Sequence, residues 1–273
     1  MATQNFKLLG LALILTAASS CAVSMKMQGN RFESSEVYGK TVGRIDGAIP
    51  GQANVELTPD YTFIAPSTTN PAIGATHDVY IGGALGVKDR IELSLNSNLV
   101  AHAKFQLLGA PKIRADDGNV SLSVIGSLGY NSDDRSDYGL SNNYYKSHIE
   151  YTTYGAQLVA GYRVDRLLNF YAGPFIERGD YKGSYTISGA SGGAVISDTS
   201  YSGNATNTGG VLGIEIGSPR VSGMIEGAWN HTVSGNTKAS YWVGGVQVIV
   251  SFGSTKVETP VSEPSSSSER TGF

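Results

Sequence analysis

The sequence predicts an all-β fold, a transmembrane antiparallel up-and-down β-barrel of about ten strands, with eight or twelve as the alternatives. Three observations carry this expectation. Ten segments between Asn54 and Phe252 alternate apolar and polar residues with period two, their connections alternate between tight and long, and aromatic residues gather near strand ends on the apolar phase.

The chain has 273 residues, enough for one domain of ordinary size. It opens on Lys7 and an apolar run of 11 residues from Leu8 to Ala18, too short to cross a membrane as a helix and suited to an export signal over residues 1–20. Glycine supplies 35 residues, near twice the usual ~7%. With abundant Tyr, Ser, Asn and Thr, this points to strands and turns. Formal charge is −3, and losing Lys7 with the signal leaves 19 basic against 23 acidic residues. Nucleic acid is therefore not an expected partner. The single cysteine, Cys21, excludes an intramolecular disulfide.

Residues 21–53 show no clear alternation and are expected to form a linker or a short plug, with Val42 to Ala53 crossing the barrel mouth. The barrel itself is expected over 54–252. Its strands are read at 54–64, 76–87, 90–97, 100–109, 119–130, 151–163, 168–180, 208–217, 220–231 and 240–252. Ile91, Leu93 and Leu95, for example, alternate with Glu92, Ser94 and Asn96, and Leu212, Ile214 and Ile216 flank Gly213 and Glu215. Gly253 to Phe273, rich in Ser, Pro, Glu and Thr, is expected to be a disordered periplasmic tail.

Alternation alone does not separate a soluble barrel from a membrane barrel. Connection lengths do: Lys88-Asp89, 164–167 and Ser218-Pro219 are tight, whereas 131–150 and 181–207 are long and polar, as periplasmic turns and external loops should be. If Phe252 ends a descending strand, counting back puts every tight turn on one side and makes the strand number even. Aromatic placement agrees. Tyr61, Phe63, Tyr130, Tyr154, Trp229 and Trp242 fall toward the external end, and Tyr162, Phe170 and Phe252 toward the periplasmic end. Ten steps from Trp242 to Phe252 make about 33 Å of strand, which at ~40° tilt spans about 25 Å of membrane.

Ala18-Ser19-Ser20-Cys21 resembles a bacterial lipoprotein box, although such boxes usually carry Leu where Ala18 stands. The resemblance implies cleavage before Cys21, acylation of its thiol and new amino group and, with Ala22 following, sorting to the outer membrane. An ordinary signal-peptidase site after Ser20-Cys21-Ala22 is the competing reading. Gly245 to Phe252 resembles the terminal-strand signal of outer-membrane proteins, here with a trailing segment after the aromatic, which implies recognition by the barrel-assembly machinery. Gly43-Arg44, Pro50-Gly51, Asp89 to Leu93 and Lys104 to Gly109 together resemble uncharacterised bacterial outer-membrane lipoproteins with a barrel body. Outer-membrane lipid is the implied surrounding; the oligomeric state stays open.

On the phase opposite to the apolar one, Glu56, Asp78, Glu92, His102, Lys104, Gln106, Gln157, Arg163, Glu177, Glu215, Glu226 and Gln247 are expected to face the lumen. Six carboxylates then meet only Lys104 and Arg163, a local excess of −4 if all ionise. In a narrow barrel these groups either pair into a closed polar core or line a thin acidic path that favours small cations. The expected role is accordingly non-enzymatic: a narrow pore, or a surface-exposed structural or binding protein acting through its loops. A rim hydrolase of omptin-like protease or lipase type is the alternative, built on Asp133-Asp134, His148 and His231, or on His231 with Ser234. No cofactor is expected, and no metal at His77, His148 and His231, since lone rim histidines ordinarily face solvent.

Overall fold

A computed structural model describes residues 23–57, 68, 70–138, 143–189 and 193–253. They form thirteen strands: β1 (Val23–Gln28), β2 (Gly43–Ile49), β3 (Gly51–Leu57), β4 (Ala72–His77), β5 (Tyr80–Lys88), β6 (Ile91–Asn96), β7 (Val100–Leu108), β8 (Val120–Tyr138), β9 (Tyr144–Arg163), β10 (Leu168–Ser188), β11 (Val195–Gly217), β12 (Val221–Ser234) and β13 (Thr237–Phe252). Ten of them close a barrel in the order β10-β11-β12-β13-β2-β5-β6-β7-β8-β9, every described pairing antiparallel. The expected class and strand number both stand.

The wall is that of an outer-membrane barrel, apolar outside and polar inside. Ile45, Leu93, Phe105, Val124, Leu158, Leu212, Ile225, Val246 and Val248 are all exposed on its outer face. Around them lie two belts of outward aromatics. Tyr130, Tyr154, Trp229 and Trp242 form the outer belt, with Trp229 directly opposite Trp242, and Trp242 is the most exposed at 71%. Tyr162, opposite Phe170, and Phe252 form a second belt at the end of the tight turns, the end expected to be periplasmic. Tyr61 and Phe63 lie outside the described residues, as do the signal segment with Cys21 and the chain after Gly253.

Strand membership differs from the expectation at the start of the barrel. The first wall strand is β2, not 54–64, and its partner across the closing seam is the last strand, with Gly43 opposite Phe252. β2 stops because Pro50 lacks an N–H to continue the ladder. Beyond it the chain bends into the lumen as β3, which leaves the wall to pair with β1. Asn30 holds that bend: its backbone N–H donates to Gly51 O at 2.8 Å and its Oδ1 accepts from Gly51 N at 2.9 Å. Gly51 is required there, since a Cβ would stand 2.4 Å from Val243 Cβ. With β4 on the far side of β3, a three-stranded sheet crosses the outer half of the lumen.

The wall is also uneven in height. β2, β5, β6 and β7 have 7, 9, 6 and 9 residues, whereas β8 to β11 have 19 to 23. Most of 131–150 and 181–207, expected as loops, is strand continuing past the outer aromatic belt. Their polarity misled the periodicity reading: beyond the membrane both faces carry Ser, Thr, Asn and charged residues, so alternation between apolar and polar fades although the ladder continues.

Candidate functional site

The described chain enters at the outer half of the lumen and descends inside its own barrel before it joins the wall. Val23, Met25 and Met27 on one face of β1, with Ala53, Val55 and Leu57 beside them on β3, pack against Ile149, Tyr151, Tyr181 and Ala205 of the wall. Residues 29–39 then run buried toward the end of the tight turns, where Val37 O accepts from Lys112 N at 2.8 Å and Thr41 N donates to Gly86 O at 2.9 Å.

A threaded segment without strand partners leaves backbone N–H groups to satisfy, and here the wall carboxylates satisfy them. Glu177 accepts from Gln28 N at 2.9 Å. Glu226 accepts from Arg31 N at 2.6 Å, Phe32 N at 3.1 Å and the Tyr171 hydroxyl at 3.0 Å. Glu92 accepts from Tyr38 N at 3.1 Å, and the Gln106 amide oxygen from Val37 N at 2.9 Å.

Side chains of the threaded segment complete the charge balance. Arg31 meets Glu177 at 2.9 Å and lies over the Phe175 ring at 4.2 Å; Glu33 meets Lys104 at 2.7 Å. Glu36 takes Arg163 Nε at 3.0 and 3.1 Å and the Asn119 amide at 2.8 Å. Lys112, carried in by a 3-10 turn, pairs with Glu215 and donates to Tyr38 OH at 2.7 Å and Ser222 Oγ at 3.1 Å. Arg44 lies 3.4 Å from Glu92, and Asp46 accepts from the Gln247 amide at 2.6 Å. Among the described residues the buried set holds seven carboxylates against five Lys and Arg side chains, a much smaller excess than the wall strands imply alone. Each buried ion is thereby paired or hydrogen-bonded, as burial demands.

Of the residues expected in the lumen, Glu92, His102, Lys104, Gln106, Gln157, Arg163, Glu177, Glu215, Glu226 and Gln247 are buried on the inner face of the wall. Glu56 is corrected: it belongs to β3 of the inner sheet and is only half-buried. Asp78 stands between β4 and β5, half-buried, 3.1 Å from Lys26. Sequence reasoning passed over Arg31, Glu33, Glu36, Arg44, Asp46 and Lys112. Arg44 and Asp46 alternate with Ile45, Gly47 and Ile49, a strand signal too short to stand out. The rest sit in irregular chain, and the only hint of them was the unbalanced excess of wall carboxylates.

Above this closed core the polar face of the inner sheet and the low wall leave a cleft of about 210 Å³ open at the outer end. Ser24, Lys26, Gln28 and Gln52 line it from the sheet, and Asn96, Asn98, Asn131, Ser132 and Asp133 from the wall. The Gln52 side-chain oxygen, itself buried, has no hydrogen-bond partner among the described residues. Asp133 is tied to Ser24 N at 3.0 Å.

The rim residues separate by face. Asp134 follows Asp133 and so points outward, where its Oδ1 lies 2.8 Å from His148 Nδ1. This pair stands beyond the outer aromatic belt, outside the apolar band, and the hydrogen bond to Asp134 raises the His148 pKa above its ordinary value. Ser184 is opposite His148 on β10, but the His148 Nε2 approaches Glu150, at 3.6 Å. His231 and Ser234 do not pair: three steps along a strand put them on opposite faces, and His231 bonds Ser240 Oγ at 2.7 Å while Ser234 donates to Asn204 O. His77 is exposed, and among the described residues no three His, Cys, Asp or Glu side chains group as metal ligands.

No protein-family model matches the chain, and no curated protein matches it in sequence. Among solved structures it is loosely similar to Ail, the attachment invasion locus protein of Yersinia pestis, at 11% identity over 77% of this chain and 99% of that one, with a TM-score of 0.34. It is similar in the same way to the N-terminal β-barrel domain of OprF from Pseudomonas aeruginosa, at 10% identity over 78% and 99% with a TM-score of 0.23. The outer membrane protease OmpT from Escherichia coli aligns at 10% identity over 86% and 95%, with a TM-score of 0.29.

Proposed function

We propose that the protein is a closed, non-enzymatic outer-membrane barrel, lipidated at Cys21, that binds a small polar solute in the cleft at its outer mouth. The observation that carries the closed state is the threaded segment, whose Arg31, Glu33 and Glu36 occupy the lumen as partners of Glu177, Lys104 and Arg163. Moving ions would have to break those pairs in a medium of low dielectric. Planar-bilayer recording of the full chain should show no steady conductance. A stable cation-selective channel would establish a pore instead.

For the cleft, size and chemistry favour a hexose-like ligand. A volume of about 210 Å³, open at one end, leaves room for a solute of a single ring. Its amides, hydroxyls and carboxylates supply both donors and acceptors, as vicinal hydroxyls require. Saturation-transfer NMR on nanodisc-embedded protein with glucose, galactose and N-acetylglucosamine should show contacts that Asp78→Ala and Asn98→Ala weaken; no contact with any of the three overturns this assignment. A mass spectrum of the mature N-terminus tests lipidation, and a peptide beginning at Val23 refutes it.

One observation favours a second reading, hydrolysis at the rim: the Asp134 to His148 hydrogen bond at 2.8 Å. A general base needs its proton donor within reach of the free nitrogen, and the neighbour recorded for Nε2 is Glu150. Cleavage of a fluorogenic ester or peptide that is lost in His148→Ala would install this reading in place of the first.

A further inference from the structure

We infer that the mature N-terminus lies on the outside of the cell, delivered there through the lumen of its own barrel. The direction of the threaded chain carries this inference. At its upper end, Ser24 N donates to Asp133, three residues beyond Tyr130 of the outer aromatic belt. Val23, wholly buried, shares a cluster with Tyr181, three residues beyond Arg178, which stands opposite Tyr154 of the same belt. At the lower end, Val37 is bonded to Lys112 and Thr41 to Gly86, beside the tight turns. β1 therefore begins above the outer edge of the membrane, and the chain descends from it.

One residue, Ala22, separates Cys21 from Val23, so the two steps span at most about 7 Å of chain. A chain leaving the upper lumen has too little length there to return to the periplasm past a core in which Arg31, Glu33 and Glu36 are ion-paired. Any acyl chain on Cys21 consequently lies on the external side of the buried core. An exported precursor reaches the membrane from the periplasm, so the wall must close around the segment during assembly. The seam between β2 and β13 is suited to be that last closure: β2 continues directly from the threaded chain, and with Gly43 opposite Phe252 it joins the two ends of the described barrel sequence.

The inference rests on the reading that places the long strands outside, and the experiment separates the two. Three versions of the full chain carry an eight-residue epitope after Ala22, at the Gly235-Asn236 hairpin tip, or after Gly253. Antibody is applied to intact cells and to cells with permeabilised outer membranes. The expected result is labelling of the first two in intact cells and of the third only after permeabilisation. If the hairpin tip is reached in intact cells but the Ala22 epitope is not, threading is overturned; if the tip is also hidden while the Gly253 epitope is exposed, the orientation itself is wrong. Should the Ala22 insertion block assembly, Lys26→Cys treated with a membrane-impermeant maleimide reads the same side, with Arg114→Cys in the periplasmic turn as the hidden control. Labelling of Lys26→Cys only after permeabilisation, with Lys182→Cys labelled in intact cells, overturns the inference.

Discussion

Arg163 and Glu36, 127 residues apart, meet in the lumen with Arg163 Nε 3.0 Å and 3.1 Å from the two carboxylate oxygens. Arg163 ends a wall strand, Glu36 lies in the threaded segment, and side-chain exposure is 2% and 0%. The pair fastens the segment to the wall near the periplasmic turns. Its value is one of position: a buried pair contributes little net stability against an apolar substitute, but removing one partner strands the other.

Glu36→Ala should therefore cost about 3–5 kcal/mol, measured as urea unfolding of the refolded barrel in detergent. Replacing both residues, Glu36→Leu with Arg163→Met, should recover most of that loss. A single substitution costing under about 1 kcal/mol would mean that the pair is solvated.

Gly161 faces the segment on the same strand, and a Cβ there would meet Ser35 Oγ at 1.9 Å. Gly161→Val should displace residues around Ser35, which otherwise bonds Ser121 Oγ at 2.5 Å, and should open intermittent conductance in a bilayer where the parent is silent. Unchanged silence with unchanged stability would argue that the segment yields without leaving.

The outer face sets a different rule. Val248 is exposed midway between Trp242 and Phe252, so Val248→Arg should cost about 2–4 kcal/mol in vesicle refolding. Ser240→Arg, two residues beyond Trp242, should cost about 0–1 kcal/mol. Equal costs would displace the membrane band from the two aromatic belts.

Asp134 raises the His148 pKa above its ordinary value through their hydrogen bond. The contact thus stabilises fully below the pKa of an unfolded histidine, and its contribution disappears as pH rises through the raised folded value. Asp134→Asn should move the His148 titration, followed by side-chain NMR, down toward the ordinary value near 6.5. No movement would show that Glu150 holds the proton instead.

Much of the barrel was legible in the sequence because a membrane wall imposes two regular demands. Leu212, Ile214 and Ile216 must face lipid while Gly213 and Glu215 face inward, and aromatics must stop at the interfaces; both leave periodic traces. β2 escaped because Gly43, Gly47 and Ala48 blur a seven-residue alternation. The rim strands escaped because water on both faces imposes no alternation at all.

What the sequence by itself determined was most of the wall: its class, nine of its ten strands, the apolar band and most of the inward polar residues, all fixed by local contact with lipid or lumen at every second residue; the tenth segment, 54–64, was counted in place of β2. What only the tertiary structure decided was the fate of the inside. Arg31, Glu33 and Glu36 lie in chain without period, and their partners Glu177, Lys104 and Arg163 are 71 to 146 residues away. Charge pairing acts through space and leaves no spacing rule along the chain. Only the closed fold could show that the acidic lumen is occupied by the protein's own N-terminal segment.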